Sequence, residues 1–487
     1  MTPLLALNSS DTLLGVLLYV VGLILSLIVV ARLLTGTKSP ATTMLWVVVI
    51  VAMPYFGVLF YYLLPHRIQL ARLRRRRQKL QDHAPPAPSC ADDDGDGGDG
   101  DGDGDPMLDF LRRIDRMSVT KCNQVERLAS GPAFFDEVIE RIDAARTFVH
   151  VEMYIFRPDA TGKRVLDALT RAASRGVEVR LLFDHIGSWS LKQHHLRELI
   201  AAGAHAVSFM PLLWRRRPFN LNLRNHRKLI FVDGEIAFLG GRNVGDEYGF
   251  DRFGEAGTWF DIMLSVCGPA VTPLHDIFVE DWFNACDEKL FNKRYFPEPH
   301  SAALGTTALG IVASGPDRAG KSFRHVLFEM IGRARERIEI SSPYLVPHAA
   351  IDAALTAAAI RGVRIRLHCN GPRAAEFVLY HAARSQYQRL LTRGVEVIES
   401  LDDYNHGKMY VVDDRYVLLG SGNLDMRSFE LNFEVGTLVV DRELCARCAD
   451  LFEERAARGR RVTKADLDVG RAGKLVDGVC RLFSPVL

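Results

Sequence analysis

An α/β fold of two homologous halves, each a mixed β-sheet between helices, is the architecture this sequence predicts. Three observations lead there. One pattern occurs twice with every spacing kept: His226-x-Lys228-x4-Asp233 then Gly240-Gly241-x-Asn243, and, 180 residues on, His406-x-Lys408-x4-Asp413 then Gly420-Ser421-x-Asn423. The apolar run from Arg146 to Tyr154 returns as the run from Arg337 to Tyr344. Each run is followed by an alanine-rich helix, a glycine (Gly176 or Gly362) and an alternating strand, which is the signature of αβ layers.

The chain opens with two apolar stretches. Leu13 to Ala31 holds no charge over 19 residues and Met44 to Leu64 none over 21, so each is long enough for a bilayer core of about 30 Å. No basic segment precedes the first, and a second follows closely, which argues against a cleaved signal peptide. A two-helix transmembrane hairpin is expected over residues 1–65. Arg67, Arg72, Arg74, Arg75, Arg76, Arg77 and Lys79 follow it and place the remainder in the cytoplasm. The same run is expected to lie near anionic headgroups.

Residues 66–106 read as this basic segment and then a disordered linker, because the Asp-Gly tract from Asp92 to Asp105 has no apolar side chain to bury. One calcium-loop alignment in the tract lacks flanking helices and the closing Glu. From Met107 the chain reads as the two halves, 107–300 and 301–487. Lys plus Arg number 61 against 59 for Asp plus Glu, so net charge selects no partner class. The eight cysteines show no disulfide or metal framework, and reduced thiols suit a cytosolic catalytic portion.

Each motif reads as a β-hairpin. Leu229 to Val232 and Ile236 to Leu239 flank an Asp233-Gly234 bend; Met409 to Val412 and Tyr416 to Leu419 flank Asp413-Asp414-Arg415. His226 and Lys228 are two apart, so extended backbone turns them to one face. The return strand brings Gly241 to Asn243 back to that end, where a phosphate meets imidazole, ammonium and carboxamide. Asp233 and Asp413 sit at the opposite end, where a turn role is preferred.

With these residues in view, the chain resembles the bacterial cardiolipin synthases of the phospholipase D superfamily. The signature is carried by His226, Lys228, Asp233, Gly240 and Asn243 and by His406, Lys408, Asp413, Gly420 and Asn423. The segment from Ser39 to Leu64, Ser342 to Pro347 and the terminal Arg481-Leu-Phe-Ser-Pro-Val-Leu487 also resemble that family. The resemblance implies an enzyme of the bacterial inner membrane that joins two phosphatidylglycerol molecules and releases glycerol through a phosphohistidine. It implies a catalytic set of His226, Lys228, Asp233, His406, Lys408 and Asp413, with His226 taken as nucleophile and His406 as acid and base. Asn243, Asn423 and Ser421 are expected to hold the phosphate. An acid on the strand after each Asn orients a histidine: Asp261 fits the first half and Glu434 the second. No metal or nucleotide cofactor is expected, and the partners are phosphatidylglycerol and anionic membrane lipids, not nucleic acid.

Hydrolysis of lipid or nucleic-acid phosphodiesters by water is the competing activity, and the apolar stretches disfavour a soluble nuclease. The formal P-loop match Gly315-x4-Gly320-Lys321-Ser322 is disfavoured because Pro316 lacks an N–H and no terminal Walker-B acid follows.

Overall fold

The computed structural model describes residues 9–36, 40–63, 73–78, 104–114, 117–128, 130–211, 213–214, 217–218, 223–249, 259–297, 305–318, 321–401 and 403–484. The calcium-loop alignment and nearly all of the Asp-Gly tract lie outside these residues.

The N-terminal region departs from the expected pair of spans. The first stretch forms the helix Ser9–Leu34, whose side chains before Val16 lie outside the described set. The second is split into Pro40–Ala52 and Pro54–Leu63, 13 and 10 residues long. Pro54 has no N–H to continue the ladder, and the chain turns back at Met53. The rings of Trp46 and Tyr61 consequently lie 5.5 Å apart, where a straight helix would separate them by about 22 Å. Among the described residues no helix is long and apolar enough to cross a membrane.

The basic run is corrected in part as well. Leu73 to Gln78 is helical, and Arg76 is buried in the compact unit that carries both motifs. Arg76 pairs with Asp287 at 2.5 Å and lies over the Phe283 ring, Arg77 pairs with Glu280 at 3.5 Å, and Arg74 donates to the Asp317 carbonyl. These cations are engaged by protein, leaving Arg75 and the outer part of Arg74 to solvent among the described residues of the run; Arg67, Arg72 and Lys79 lie outside them.

One 15-stranded sheet runs through both halves. In the first half, neighbours in space are Val119–Leu128, Met263–Cys267, Ile236–Gly240, Leu229–Val232, Phe148–Met153, Glu178–Asp184 and His205–Phe209. The second repeats this order with Thr307–Ser314, Glu434–Val440, Tyr416–Gly420, Met409–Val412, Arg337–Ser341, Arg364–Asn370 and Glu396–Ser400. The halves join where Val119–Leu128 pairs antiparallel with Thr307–Ser314. Phe148–Met153 pairs parallel with Glu178–Asp184, and Arg337–Ser341 with Arg364–Asn370, while both motif hairpins are antiparallel, so the sheet is mixed.

Period-two alternation separates the two faces of each strand. Val149, Val151 and Met153 pack with helices Gly131–Ala144 and Ala160–Ser174, whereas His150 faces His275 and Phe278 of helix Val271–Cys286. The second-half core places Ile338 and Ile340 against helices Ser322–Arg333 and Ala349–Ile360. Gly176 and Gly362 end equivalent helices with φ of +87° and +90°, a conformation that suits glycine.

Cys122 is disulfide-bonded, a departure from the expected all-reduced set; Cys267, Cys286, Cys369, Cys445, Cys448 and Cys480 are free. Lys321 of the P-loop match donates to the Glu430 carbonyl at 2.8 Å and pairs with its carboxylate at 3.1 Å, while residues 319–320 lie outside the described set.

Candidate active site

The motif hairpins form as the sequence predicts. Leu229 pairs with Leu239 and Val232 with Ile236; Met409 pairs with Leu419 and Val412 with Tyr416. His226 and His406 stand just before their strands, 7% and 6% exposed.

What the sequence did not foretell is a crossing of the two halves. Trp259 and Phe260 run parallel to Tyr404 and Asn405, and Phe433 bridges Asn225 in the same manner. The His226 amide donates to the Phe433 carbonyl at 2.9 Å, and the His406 amide to the Phe260 carbonyl at 2.8 Å. Each acid is therefore delivered to the opposite histidine. Glu434 bonds His226 Nδ1 at 3.0 Å, and Asp261 bonds His406 Nδ1 at 2.5 Å. The sequence named both acids but not their partners; the parallel bridges fix the partner of each.

The two supports differ. Glu434 Oε2 accepts from Ser421 Oγ at 2.5 Å, and Oε1 accepts from Ser428 Oγ and Asn432 Nδ2 at 2.9 and 3.2 Å. Ser421, expected to hold phosphate, is instead fully buried and turned onto this carboxylate. Its counterpart is Gly241, where an added Cβ would sit 2.2 Å from Asp261 Oδ1 and 2.9 Å from Lys408 Cδ. The shorter acid comes closer to the chain, so the facing position has no room for a side chain.

Both lysines are buried. Lys228 Nζ donates to the His226 carbonyl at 2.6 Å; Lys408 Nζ lies 2.6 Å from His406 Nδ1 and 3.7 Å from Asp261. Asn243 donates to Tyr248 Oη at 2.8 Å and accepts from the Ile155 amide, while Asn423 donates to Asp425 at 3.0 Å. Each amide retains a second N–H.

Asp233 and Asp413 are not at the site. Asp233 accepts from the amides of Arg146, Thr147 and Phe148, and Asp413 from those of Arg335, Glu336 and Arg337, at 2.8–3.1 Å. Both sit at the hairpin bend with φ of +54° and +52°. Their place in the signature is that of a clamp on the neighbouring strand, which corrects their inclusion in the catalytic set.

The electrostatics couple the halves. Burial lowers the pKa of His226 to about 4, with Glu434 opposing and Lys228 and Lys408 adding to the effect. Burial and then Lys408 lower that of His406 to about 3, against Asp261. Both imidazoles are thus neutral near pH 7 without a ligand. Burial lowers Lys408 to about 8 and also lowers Lys228. Burial alone would raise both acids, but the facing lysines and histidines hold Asp261 and Glu434 below the usual carboxylate range. An anionic phosphodiester between the two sets would raise both histidines, because a nearby negative charge favours the protonated form.

Several lining residues carry no motif signal. Tyr154 meets His226 edge-on at 4.8 Å; Trp259 stacks on Tyr404 at 4.2 Å and lies 5.3 Å from His406. Arg224 is two residues before His226, as Tyr404 is before His406. The Arg224 guanidinium is buried against Asp184 at 3.2 Å, and its Nε and Nη2 have no hydrogen-bond partner among the described residues. The two-residue spacing was the available signal for both.

The family described as cardiolipin synthase, PLD-like domain, matches residues 138–265 and 327–456, and that described as phospholipase D-nuclease N-terminal matches residues 23–64. The chain is 32% identical to the cardiolipin synthase of Geobacillus thermodenitrificans over 460 residues, covering 92% of this chain and 90% of the relative. It is 31% identical to the probable cardiolipin synthase YwiE of Bacillus subtilis over 484 residues, covering 97% and 93%. The phosphatidylserine synthase of Haemophilus influenzae shares the fold, with a TM-score of 0.58 at 16% identity over 75% of this chain and 95% of that one. With both halves, the N-terminal region and nearly full-length relatives in agreement, the chain belongs to the cardiolipin synthase family of phospholipase D-like proteins.

Proposed function

We propose that this protein is a cardiolipin synthase, a phosphatidyltransferase that joins two phosphatidylglycerol molecules and releases glycerol. The observation that carries the reading is the pair of histidines, each neutral, each held at Nδ1 by an acid from the opposite half. With Nδ1 engaged, Nε2 is the ring atom left for chemistry. His226 Nε2 attacks phosphorus of the first lipid, the P–O bond to glycerol breaks, and the departing oxygen takes a proton from His406. His406 then accepts the proton of the second lipid's hydroxyl, whose oxygen attacks phosphorus and breaks the P–N bond. This division suits imidazoles that titrate as the anionic substrate binds. Lys228 and Lys408, with the second N–H of Asn243 and Asn423, hold the phosphoryl oxygens as charge grows.

Residues 1–65 serve as the membrane anchor in this reading, seating the protein in the inner bacterial membrane with the catalytic halves, 107–300 and 301–487, in the cytoplasm. The exposed apolar side chains of Ser9–Leu34 and the basic flank support this. The test is incubation of the full chain with labelled phosphatidylglycerol in mixed micelles. Cardiolipin and glycerol in equal amounts are expected; phosphatidic acid with glycerol, and no cardiolipin, would assign hydrolysis instead.

A further inference from the structure

An apolar face that stays exposed among the described residues stands beside the site, built by two helices. Phe377–Thr392 and Gly470–Arg481 pack through His381 and Asp477 at 2.6 Å, Arg384 and Asp477 at 3.6 Å, and a buried cluster of Val346, Ala382 and Cys480. Arg384 also reaches the Asp466 carbonyl, ahead of the second helix, so the two run antiparallel. Phe377 is one turn before His381 and Arg481 one turn after Asp477, which brings Phe377 level with the end of the second helix. Phe377 is 65% exposed, Leu482 75% and Phe483 50%, and Val378 and Val479 are also exposed.

This end is the active-site end. Glu376, next to Phe377, lies beside Tyr404 and Tyr344, and the Tyr404 ring is 6.1 Å from that of His406. The charge on the second helix is arranged to match an anionic surface. Arg471, Lys474 and Arg481 are exposed, whereas its one acid, Asp477, is buried against His381. Apolar side chains flanked by exposed cations characterise helices that lie in a membrane interface.

We propose that the helix Gly470–Arg481 and the start of Phe377–Thr392 form a docking face for an anionic bilayer. Phe377, Val479, Leu482 and Phe483 enter the boundary between headgroups and acyl chains, and Arg471, Lys474 and Arg481 meet the headgroups. The His406 side of the site then faces a lipid phosphodiester while its acyl chains stay in the bilayer. The proposal rests on the lipid-substrate reading and gives the C-terminal Arg481-Leu-Phe run a role.

The test reconstitutes the full chain into phosphatidylglycerol–phosphatidylcholine vesicles with brominated acyl chains. Leu482→Trp places a fluorophore in the face. Ile360→Trp places one at an equally open position, 79% exposed, at the C-terminal end of helix Ala349–Ile360. The emission added by Leu482→Trp is expected to be lost to bromine quenching, and that added by Ile360→Trp to persist. Unquenched emission at Leu482→Trp, or equal quenching at both, overturns the proposal. In mixed micelles, Leu482→Ser with Phe483→Ser is expected to raise the surface KM at least about tenfold with kcat kept, as two apolar anchors are lost; an unchanged KM overturns the proposal equally. Quenching needs no turnover. A chain that docks but makes no cardiolipin would unseat the function alone, and one that makes cardiolipin without quenching would unseat the docking alone.

Discussion

Glu434 accepts the Nδ1 hydrogen bond of His226 at 3.0 Å across 208 residues of sequence, from the other half of the molecule. Asp261 does the same for His406 across 145 residues. Neither half holds a complete histidine–acid pair, so the site exists only when both halves fold together.

Glu434→Gln and Asp261→Asn should each lower kcat by about a hundredfold or more with the fold intact, because the orienting acid sets tautomer and ring direction. Steady-state kinetics beside circular dichroism decide this. Full activity in either variant would remove that acid from the mechanism.

Gly241→Ser should be far more damaging than Ser421→Ala. The first drives a side chain into Asp261 and Lys408, while the second removes a hydrogen bond to a carboxylate with three other partners and one accepted from the Val435 amide. A crystal structure of Gly241→Ser with Asp261 unmoved, or activity equal to that of Ser421→Ala, would contradict the packing argument.

Asp233→Ala and Asp413→Ala should cost stability, each about 1–3 kcal/mol from unsatisfied strand amides, rather than specific activity. Denaturant midpoints with turnover per folded molecule test this. A lower kcat at an unchanged midpoint would return them to the catalytic set.

Stability should fall as pH drops from about 6.5 toward 4. His226 and His406 have folded pKa values of about 4 and 3 against about 6.5 unfolded, so across this window the unfolded chain binds more protons and acid favours it. Asp261 and Glu434, held low when folded, add stability that is lost at still lower pH. A His226→Gln, His406→Gln double variant should show a flatter pH–Tm profile. An unchanged slope would mean that other groups govern the acid limb.

Removing residues 1–106 should lower Tm below that of a chain lacking only 1–71, because Arg76 is buried against Asp287 and Phe283. Arg76→Ala should reproduce part of the loss. Equal Tm for both truncations would make the contact energetically silent.

The local patterns were legible in the chain. Apolar periodicity around an Asp-led bend located both hairpins, glycines marked the helix ends, and the duplicated motif announced both histidines and both lysines. These depend on contacts within a few residues, which spacing records. Tertiary structure decided the rest. Which acid serves which histidine follows from parallel bridges between the halves, and Asp261 and Glu434 look interchangeable until those bridges form. Ser421 was read as a phosphate ligand through the family resemblance; the reach of Glu434 turns its hydroxyl inward. Arg76 was read as a headgroup ligand because it sits in a basic run, but an arginine's charge does not say whether lipid or Asp287 will neutralise it. Met44 to Leu64 has the composition of a span, and the backbone's turn at Pro54, where a hydrogen-bond donor is missing, brings Trp46 onto Tyr61 instead. Composition sets what a segment can bury; the partner it is buried against is chosen by the fold.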